Sequence, residues 1–145
     1  MKKIEELIKL RNEVFAWAKI ELKDTIVVNA ETKIEILINM QGLKHTLKGK
    51  SYKNQNMIEK NEAMIMSVKH LIFFLETSKH IGFEKDKRMR DNILGFYIFA
   101  NTFNYKNIEY NVKIMVRKTT DKTYFYDQAL IKKNNPTTGH FRVSG

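Results

Sequence analysis

Apolar residues recur at spacings of three and four near the start of the chain. Ile4, Leu7, Ile8, Phe15, Ala18 and Leu22 form a stripe that Leu10, Val14 and Trp17 widen, while Lys and Glu fill the opposite side. This period predicts an amphipathic packing helix over residues 2–23, ended by Asp24. The β-branched run Thr25-Ile26-Val27-Val28 follows, then the turn-forming Asn29-Ala30-Glu31-Thr32. Lys33–Ile38 resumes with Ile34, Ile36 and Ile38 on one face, so the two runs read as a half-buried β-hairpin. Asn39-Met40-Gln41-Gly42 breaks the second strand. Leu43–Leu47 makes one or two helical turns that enter a loop at Gly49. A second, longer helix is expected from about Asn56 to Thr77. Its stripe of Ile58, Met64, Ile65, Val68, Leu71, Ile72 and Leu75 is broadened by Met66, Phe73 and Phe74 into a well-buried helix,. The methionines read as core filler.

The polar run Gly82–Asn92 reads as an exposed connection rich in Lys85, Lys87, Arg88 and Arg90. Three strands then follow in series, over residues 93–104, 108–118 and 123–132. Their connections are short, which predicts an antiparallel meander. In the middle strand Ile108, Tyr110, Val112, Ile114 and Val116 point one way, and Glu109, Asn111, Lys113, Met115 and Arg117 the other,. The expected architecture is α+β: an N-terminal helix and hairpin, a central long helix, and a C-terminal antiparallel β-meander with the helices packed on one sheet face. The open face would carry Lys113, Arg117 and part of a Tyr124/Tyr126/Asp127 cluster. Residues 1–133 read as a single domain and 134–145 as a flexible C-terminal tail.

Composition narrows the classes. Of 145 residues, 43% are hydrophobic, enough for a real core,. No apolar run reaches about 18 residues, so no transmembrane helix is expected. The charged N-terminus lacks the apolar centre of a signal peptide, and a cytoplasmic location is expected. Cysteine is absent, which excludes thiolate zinc sites, disulfides and cysteine nucleophiles,. Lys and Arg number 26 against 16 acids, a net charge of +10. That bias fits a polyanionic partner such as nucleic acid. It also fits lysine accumulated under an AT-rich genome.

The densest chemistry lies at Gly42–Lys50, where His45 and Thr46 sit among Lys44, Lys48 and Lys50. The acids are scattered, and His45, His70, His80 and His140 show no metal-ligand spacing, so no metal is expected. Neither a phosphate-binding glycine loop nor a nucleophile elbow is present, and no cofactor is expected. His70, set among apolar residues, reads as a core or edge histidine. A metal-free ribonuclease needs less: a base for the ribose 2′-hydroxyl, an acid for the leaving oxygen, and cations for the phosphorane. Histidine as a residue type suits the first two roles. Lys113 and Arg117 suit the third, and Tyr124 or Tyr126 could stack on a base or donate a hydrogen bond.

The order Val28-Asn29-x-x-Thr32, Ile36, Gly42-Leu43-Lys44-His45-Thr46, then Asn107-x-x-Tyr110-x-Val112-Lys113-x-x-Val116-Arg117, then Tyr124-Phe125-Tyr126-Asp127-x-x-Leu130 resembles domains of large polyvalent proteins of phages and conjugative elements. These are grouped with the barnase–EndoU–colicin–RelE class of nucleases. The resemblance spans roughly residues 10–133. It implies a helix-then-antiparallel-sheet fold and metal-independent RNase activity on tRNA or mRNA, often as a toxin or phage-conflict effector countered by an acidic antitoxin or immunity protein. It also implies that His45 is catalytic, with Thr46 beside it. Arg117 and Lys113 would act on the phosphate, and Tyr126 with Asp127 would form the last-strand element. Lys44, Lys48, Lys50 and Tyr124 would bind RNA. His140 offers a second histidine. The alternative is a non-catalytic basic domain of the same fold that binds nucleic acid or protein. An unrelated enzyme or structural protein is the third class.

Overall fold

The amphipathic stripe of the first helix fixes what it covers. In the computed structural model, which describes residues 4–47 and 55–134, helix α1 runs over Ile4–Glu21. Leu7, Val14 and Ala18 are fully buried along one side, and Leu22 continues the line just past its end. Glu5 and Glu6 in the first turn and Lys19 in the last turn complement the helix dipole,. The hairpin follows as β1 (Ile26–Val28) and β2 (Glu35–Leu37), paired antiparallel. Between them, Asn29 is wholly buried and fully bonded. Its amide donates to the carbonyls of Leu75 and Ser78, both at 2.9 Å, and its oxygen accepts from Thr32. One polar side chain thus pins the hairpin turn to the helical layer, at a position where an apolar residue would leave those carbonyls unsatisfied.

Helix α2 (Met40–Leu47) comes next, then α3 (Gln55–Ser67), a 3₁₀ turn (Val68–His70) and α4 (Leu71–Thr77). The expected long helix is therefore broken near its middle. His70 leaves helical geometry at φ −111° and ψ 18°, and the tighter 3₁₀ turn re-aims the apolar stripe so that Leu71, Phe74 and Leu75 all enter the core,. His70 is exposed and lies against the rings of Phe74 and Phe103, in keeping with an edge histidine.

The C-terminal half is sheet. Strands β3 (Lys79–Lys85), β4 (Ile93–Tyr105), β5 (Ile108–Thr119) and β6 (Tyr124–Lys133) pair antiparallel in sequence. The β4–β5 turn is a two-residue loop with Lys106 and Asn107 both at positive φ, the geometry that matches strand twist,. Strand β3 replaces the first part of the expected Gly82–Asn92 connection, and only residues 86–92 are loop. It was hidden because it is a mostly exposed edge strand with a bulge at Ile81, which erases the period of two,. The sheet order is β1-β2-β6-β5-β4-β3. The hairpin joins the meander through a short parallel pairing, Ile36 with Tyr124 and Leu37 with Phe125.

The fold is thus α+β with the helices on one sheet face. Val112, Ile114, Val116, Phe99, Ile36 and Ile131 meet the helices in one continuous core. Lys113, Met115 and Arg117 lie on the other face, as the alternation of β5 requires. Strand β6 departs from expectation. Met115 pairs with Gln128 but Val116 with Tyr126, so Asp127 is an extra, bulged residue. The bulge slips the phase by one position, and Tyr126, Ala129 and Ile131 are the buried residues,. Tyr126, expected on the open face with Tyr124, is instead on the helix face, and Tyr124 shares that face. The 134–145 tail lies, from residue 135 onward, outside the described residues.

Candidate functional site

Asn39 starts the element that carries His45. Its side-chain oxygen accepts the Gly42 backbone N–H at 2.9 Å, an N-cap that begins α2 three residues earlier than the sequence reading placed a helix,. Gly42 then allows α2 to press on β6. A Cβ there would stand 2.1 Å from the Tyr126 carbonyl oxygen and 2.7 Å from its ring. One turn on, the Thr46 hydroxyl accepts the Ala129 backbone N–H at 3.0 Å and forms a short hydrogen bond with the Tyr126 hydroxyl. Strand β2 pairs with β6 only as far as Phe125, so the edge of β6 beyond that point has lost its strand partner. Helix α2 takes over that edge, and its side chains satisfy backbone groups that would otherwise be orphaned.

His45, the residue before Thr46, is exposed, and its Nδ1 lies 3.3 Å from the Asp127 carbonyl oxygen. A carbonyl only accepts, so this contact places the proton on Nδ1 and leaves Nε2 as the free acceptor. The β6 bulge therefore does two things. It turns Tyr126 into the core and offers the Asp127 carbonyl to the imidazole.

His45 forms the rim of a cleft of about 320 Å³ on the open side of the sheet. Glu84 and Lys85 of β3, the 86–90 loop, Arg117 of β5, and Asp127 and Gln128 of β6 share its lining. Five Lys and Arg side chains face three carboxylates there, so the cleft is cationic on balance. Asp86, whose side chain is 4% exposed, closes the loop on itself. Its carboxylate accepts from Arg90 Nε at 3.1 Å and Nη2 at 2.9 Å, and from the backbone N–H of Arg90 at 2.9 Å and of Arg88 at 3.3 Å. The Arg90 side-chain hydrogen bond above all holds the Asp86 carboxyl well below the usual carboxylate range, against the opposing effect of desolvation,. The same bond raises Arg90, and the charge of Asp127 adds to it. Arg117 stands 5.2 Å from the Phe125 ring centroid, and its buried Nε has no hydrogen-bond partner among the described residues. Lys113, on the same face, approaches Glu84 at 4.0 Å.

A second cleft, of about 360 Å³, lies on the other side of His45 and is lined by Arg11, Phe15 and Lys44. It is the larger of the two but less polar in its chemistry, and the Arg117 side is where groups able to handle a phosphate meet.

The expected site residues therefore separate. His45 and Arg117 come together, Lys113 shares their face, and Lys44 lies beyond the rim. Tyr126 and Thr46 are buried at 1% and 5% exposure and bonded to each other, which makes them the mount of His45 and removes them from contact with a substrate. Burial pushes the Tyr126 hydroxyl well above the usual tyrosine range, so it remains protonated. Tyr124 sits on the opposite face of the sheet. Lys48, Lys50 and His140 lie outside the described residues. No site role fell to Asp86 or Gln128 from the sequence, which held Asp127 only as part of a last-strand element with Tyr126 and Arg90 only as one of several loop cations. The spacing of Asp86 and Arg90, four apart across a short polar loop, was the available signal. Among the described residues no group of three or more His, Asp or Glu could hold a metal ion, and no helix is long and apolar enough to cross a membrane.

Residues 5–126 match the family model described as large polyvalent protein-associated domain 3. No curated protein and no solved structure matches the chain.

Proposed function

We propose that this chain, which belongs to the large polyvalent protein-associated domain 3 family, is a metal-independent ribonuclease of the barnase–EndoU–colicin–RelE kind whose reaction takes place in the cleft between His45 and Arg117. The observation that carries the reading is the convergence of these two residues, 72 positions apart in sequence, on one cationic cleft. His45 Nε2, left as an acceptor by the Nδ1 contact to the Asp127 carbonyl, takes the proton of a ribose 2′-hydroxyl,. The 2′-oxygen attacks the adjacent phosphorus. A guanidinium is not deprotonated in a protein, so Arg117 serves as a fixed cation on the phosphorane,. The P–O5′ bond breaks, the 5′-oxygen takes a proton from solvent in the open cleft, and a 2′,3′-cyclic phosphate remains. Lys85 at the end of β3 and Lys87 and Arg88 on the loop bear on the flanking phosphates,.

A second reading, a non-catalytic basic domain that docks on nucleic acid, is favoured by one observation: Tyr126 and Thr46 are withdrawn into the core, which leaves His45, among the described residues, as the one expected proton-transfer group at the cleft.

The test is incubation of the purified protein with total tRNA and mRNA in EDTA, beside His45→Ala and Arg117→Ala. Cleavage with 2′,3′-cyclic ends, reduced about 100-fold or more in His45→Ala, is the expected result. Intact RNA after incubation with folded wild-type protein would leave the docking reading in its place.

A further inference from the structure

The sheet face opposite the cleft carries a row of aromatic rings that the helices leave partly uncovered. Strand register puts them together. Phe83 of β3 pairs with Tyr97 of β4, Tyr97 pairs with Val116 of β5, and two residues further along β5 Lys118 pairs with Tyr124 of β6. Directly paired antiparallel residues share a face, as do residues two apart, so Phe83, Tyr97, Lys118 and Tyr124 stand side by side. The ring centroids of Phe83 and Tyr97 are 5.3 Å apart, those of Tyr97 and Tyr124 5.6 Å, and His80 adds a ring 5.1 Å from Tyr97. The Lys118 ammonium lies 5.7 Å from the Tyr97 centroid and 5.6 Å from that of Tyr124.

Core packing does not account for the whole row. Phe83 is 46% exposed on an edge strand, where a phenylalanine gains little by burial,. At the sheet end beyond Tyr124 lies a hollow of about 480 Å³, lined by Lys33, Lys122 and Glu35 together with Ile26, Ile34 and Leu37, and it reaches round the end to the opposite face, on which Ile26 and Leu37 pair. Phe83 and His80 are exposed, Tyr97 and Tyr124 are half-buried, and Tyr97 stands edge-to-face to both Phe83 and Tyr124. Aromatic rings set beside a cation in this way fit a chain whose flat π-systems alternate with phosphates.

We propose that this row is a stacking platform for unpaired bases of single-stranded RNA, with Lys33, Lys118 and Lys122 on the backbone phosphates. The bases of a duplex are stacked inside the helix and cannot lie on these rings, so the platform selects single-stranded segments. Its position deepens the nuclease reading, on which its link to cleavage rests. Tyr97 and Lys118 stand next to Phe96 and Arg117 of the cleft, but on the other face. Platform and cleft lie back to back at one end of the sheet.

The experiment measures binding alone, in a His45→Ala background, by fluorescence anisotropy of a labelled oligouridylate and of an RNA duplex of equal length. Single-strand binding tighter than duplex binding is expected. Phe83→Leu, which keeps an apolar side chain but removes the ring, should weaken it by about five- to hundred-fold, the range for loss of one stacked base. Phe83→Trp should preserve it. Equal affinity of Phe83→Leu and its parent, or equal affinity for duplex and single strand, would overturn the platform. Should Phe83→Leu not fold, Lys118→Gln carries the test, with a loss of affinity expected and none overturning it. Loss of binding in Phe83→Leu without any cleavage by wild type would uphold the platform and remove the nuclease. Cleavage by wild type with binding indifferent to Phe83 would do the reverse.

Discussion

Replacing Gly42 by alanine sets two physical effects against each other with opposite signs. Within a helix, alanine is favoured over glycine by about 1 kcal/mol, so the local sequence alone predicts a more stable protein. The packing predicts the reverse. The new Cβ would lie 2.1 Å from the Tyr126 carbonyl oxygen, an atom fixed in the middle of β6. Helix α2 would have to withdraw by roughly 1 Å to restore an ordinary contact. Overpacking of this kind costs about 1–3 kcal/mol, and a backbone obstacle that cannot rotate away puts the cost at the upper end. The withdrawal also lengthens the Thr46–Ala129 bond, now 3.0 Å, and the His45–Asp127 contact, now 3.3 Å. The net expectation is a loss of about 2 kcal/mol after the helical gain is subtracted. For a chain of this size that lowers the melting temperature by about 6–8 °C. Thermal unfolding followed by circular dichroism reads it directly. Gly82→Ala is the control, because nothing lies within 4 Å of its Cβ, and it should be neutral or slightly stabilising,. A Gly42→Ala protein as stable as its parent, or more so, would refute the close seating of α2 on β6 and with it the placement of His45.

Three further outcomes follow from the same geometry. Thr46→Val keeps shape but strands the Ala129 N–H and the Tyr126 hydroxyl in the core, so urea unfolding should show a loss of about 2–3 kcal/mol; Thr46→Ser, which keeps the hydroxyl, should lose about 1 kcal/mol or less, and equal losses would contradict the bonding role. The Asp86 carboxyl is depressed in the folded protein by Arg90, so the stability it contributes is complete above the ordinary carboxylate value of about 3.9 and drains away as pH falls below it,. Asp86→Asn should lack that component, and unfolding curves for the two proteins that run parallel from neutral to strongly acid pH would count against the loop clamp. At the other extreme, burial raises the Tyr126, Tyr110 and Tyr105 hydroxyls, with the Glu62 carboxylate adding to the effect on Tyr105 at 2.5 Å. Their contribution is intact below pH of about 10 and is lost above it, so tyrosinate absorbance should appear together with loss of helical dichroism. Complete tyrosine ionisation near pH 10 with the fold intact would show these hydroxyls to be open to solvent.

Much of this fold was legible because much of it is local. The period of α1, the alternation of β5 and the short connection before Ile108 depend on residues close in sequence, and each appears where the pattern puts it, the connection shortened by one residue to Lys106-Asn107. The start of α2 has a local signal in Asn39, a favoured N-cap residue whose side chain accepts the Gly42 N–H, but Asn39 ends a strand equally well, so the signal is ambiguous without the fold,. Strand β3 was not legible, because an exposed edge strand has no buried face to impose a period.

The sequence by itself determined that α1 is a helix and that β4, β5 and β6 are strands, which face of β5 turns to the core, and that the chain is strongly basic. Only the tertiary structure decided what surrounds His45. A period of two says which way a side chain points but not which strand lies beside it, so the parallel pairing of β2 with β6 could not be read. Nor could the single extra residue at Asp127, which moves Tyr126 from the open face into the core and brings a carbonyl to the imidazole. A bulge is fixed by the register between two strands, here β5 and β6, and register is a property of the pair. That is why Tyr126 and Thr46 looked like chemistry in the sequence and serve as support in the fold, while Arg117, Asp127 and Arg90 meet His45 only once the sheet has formed.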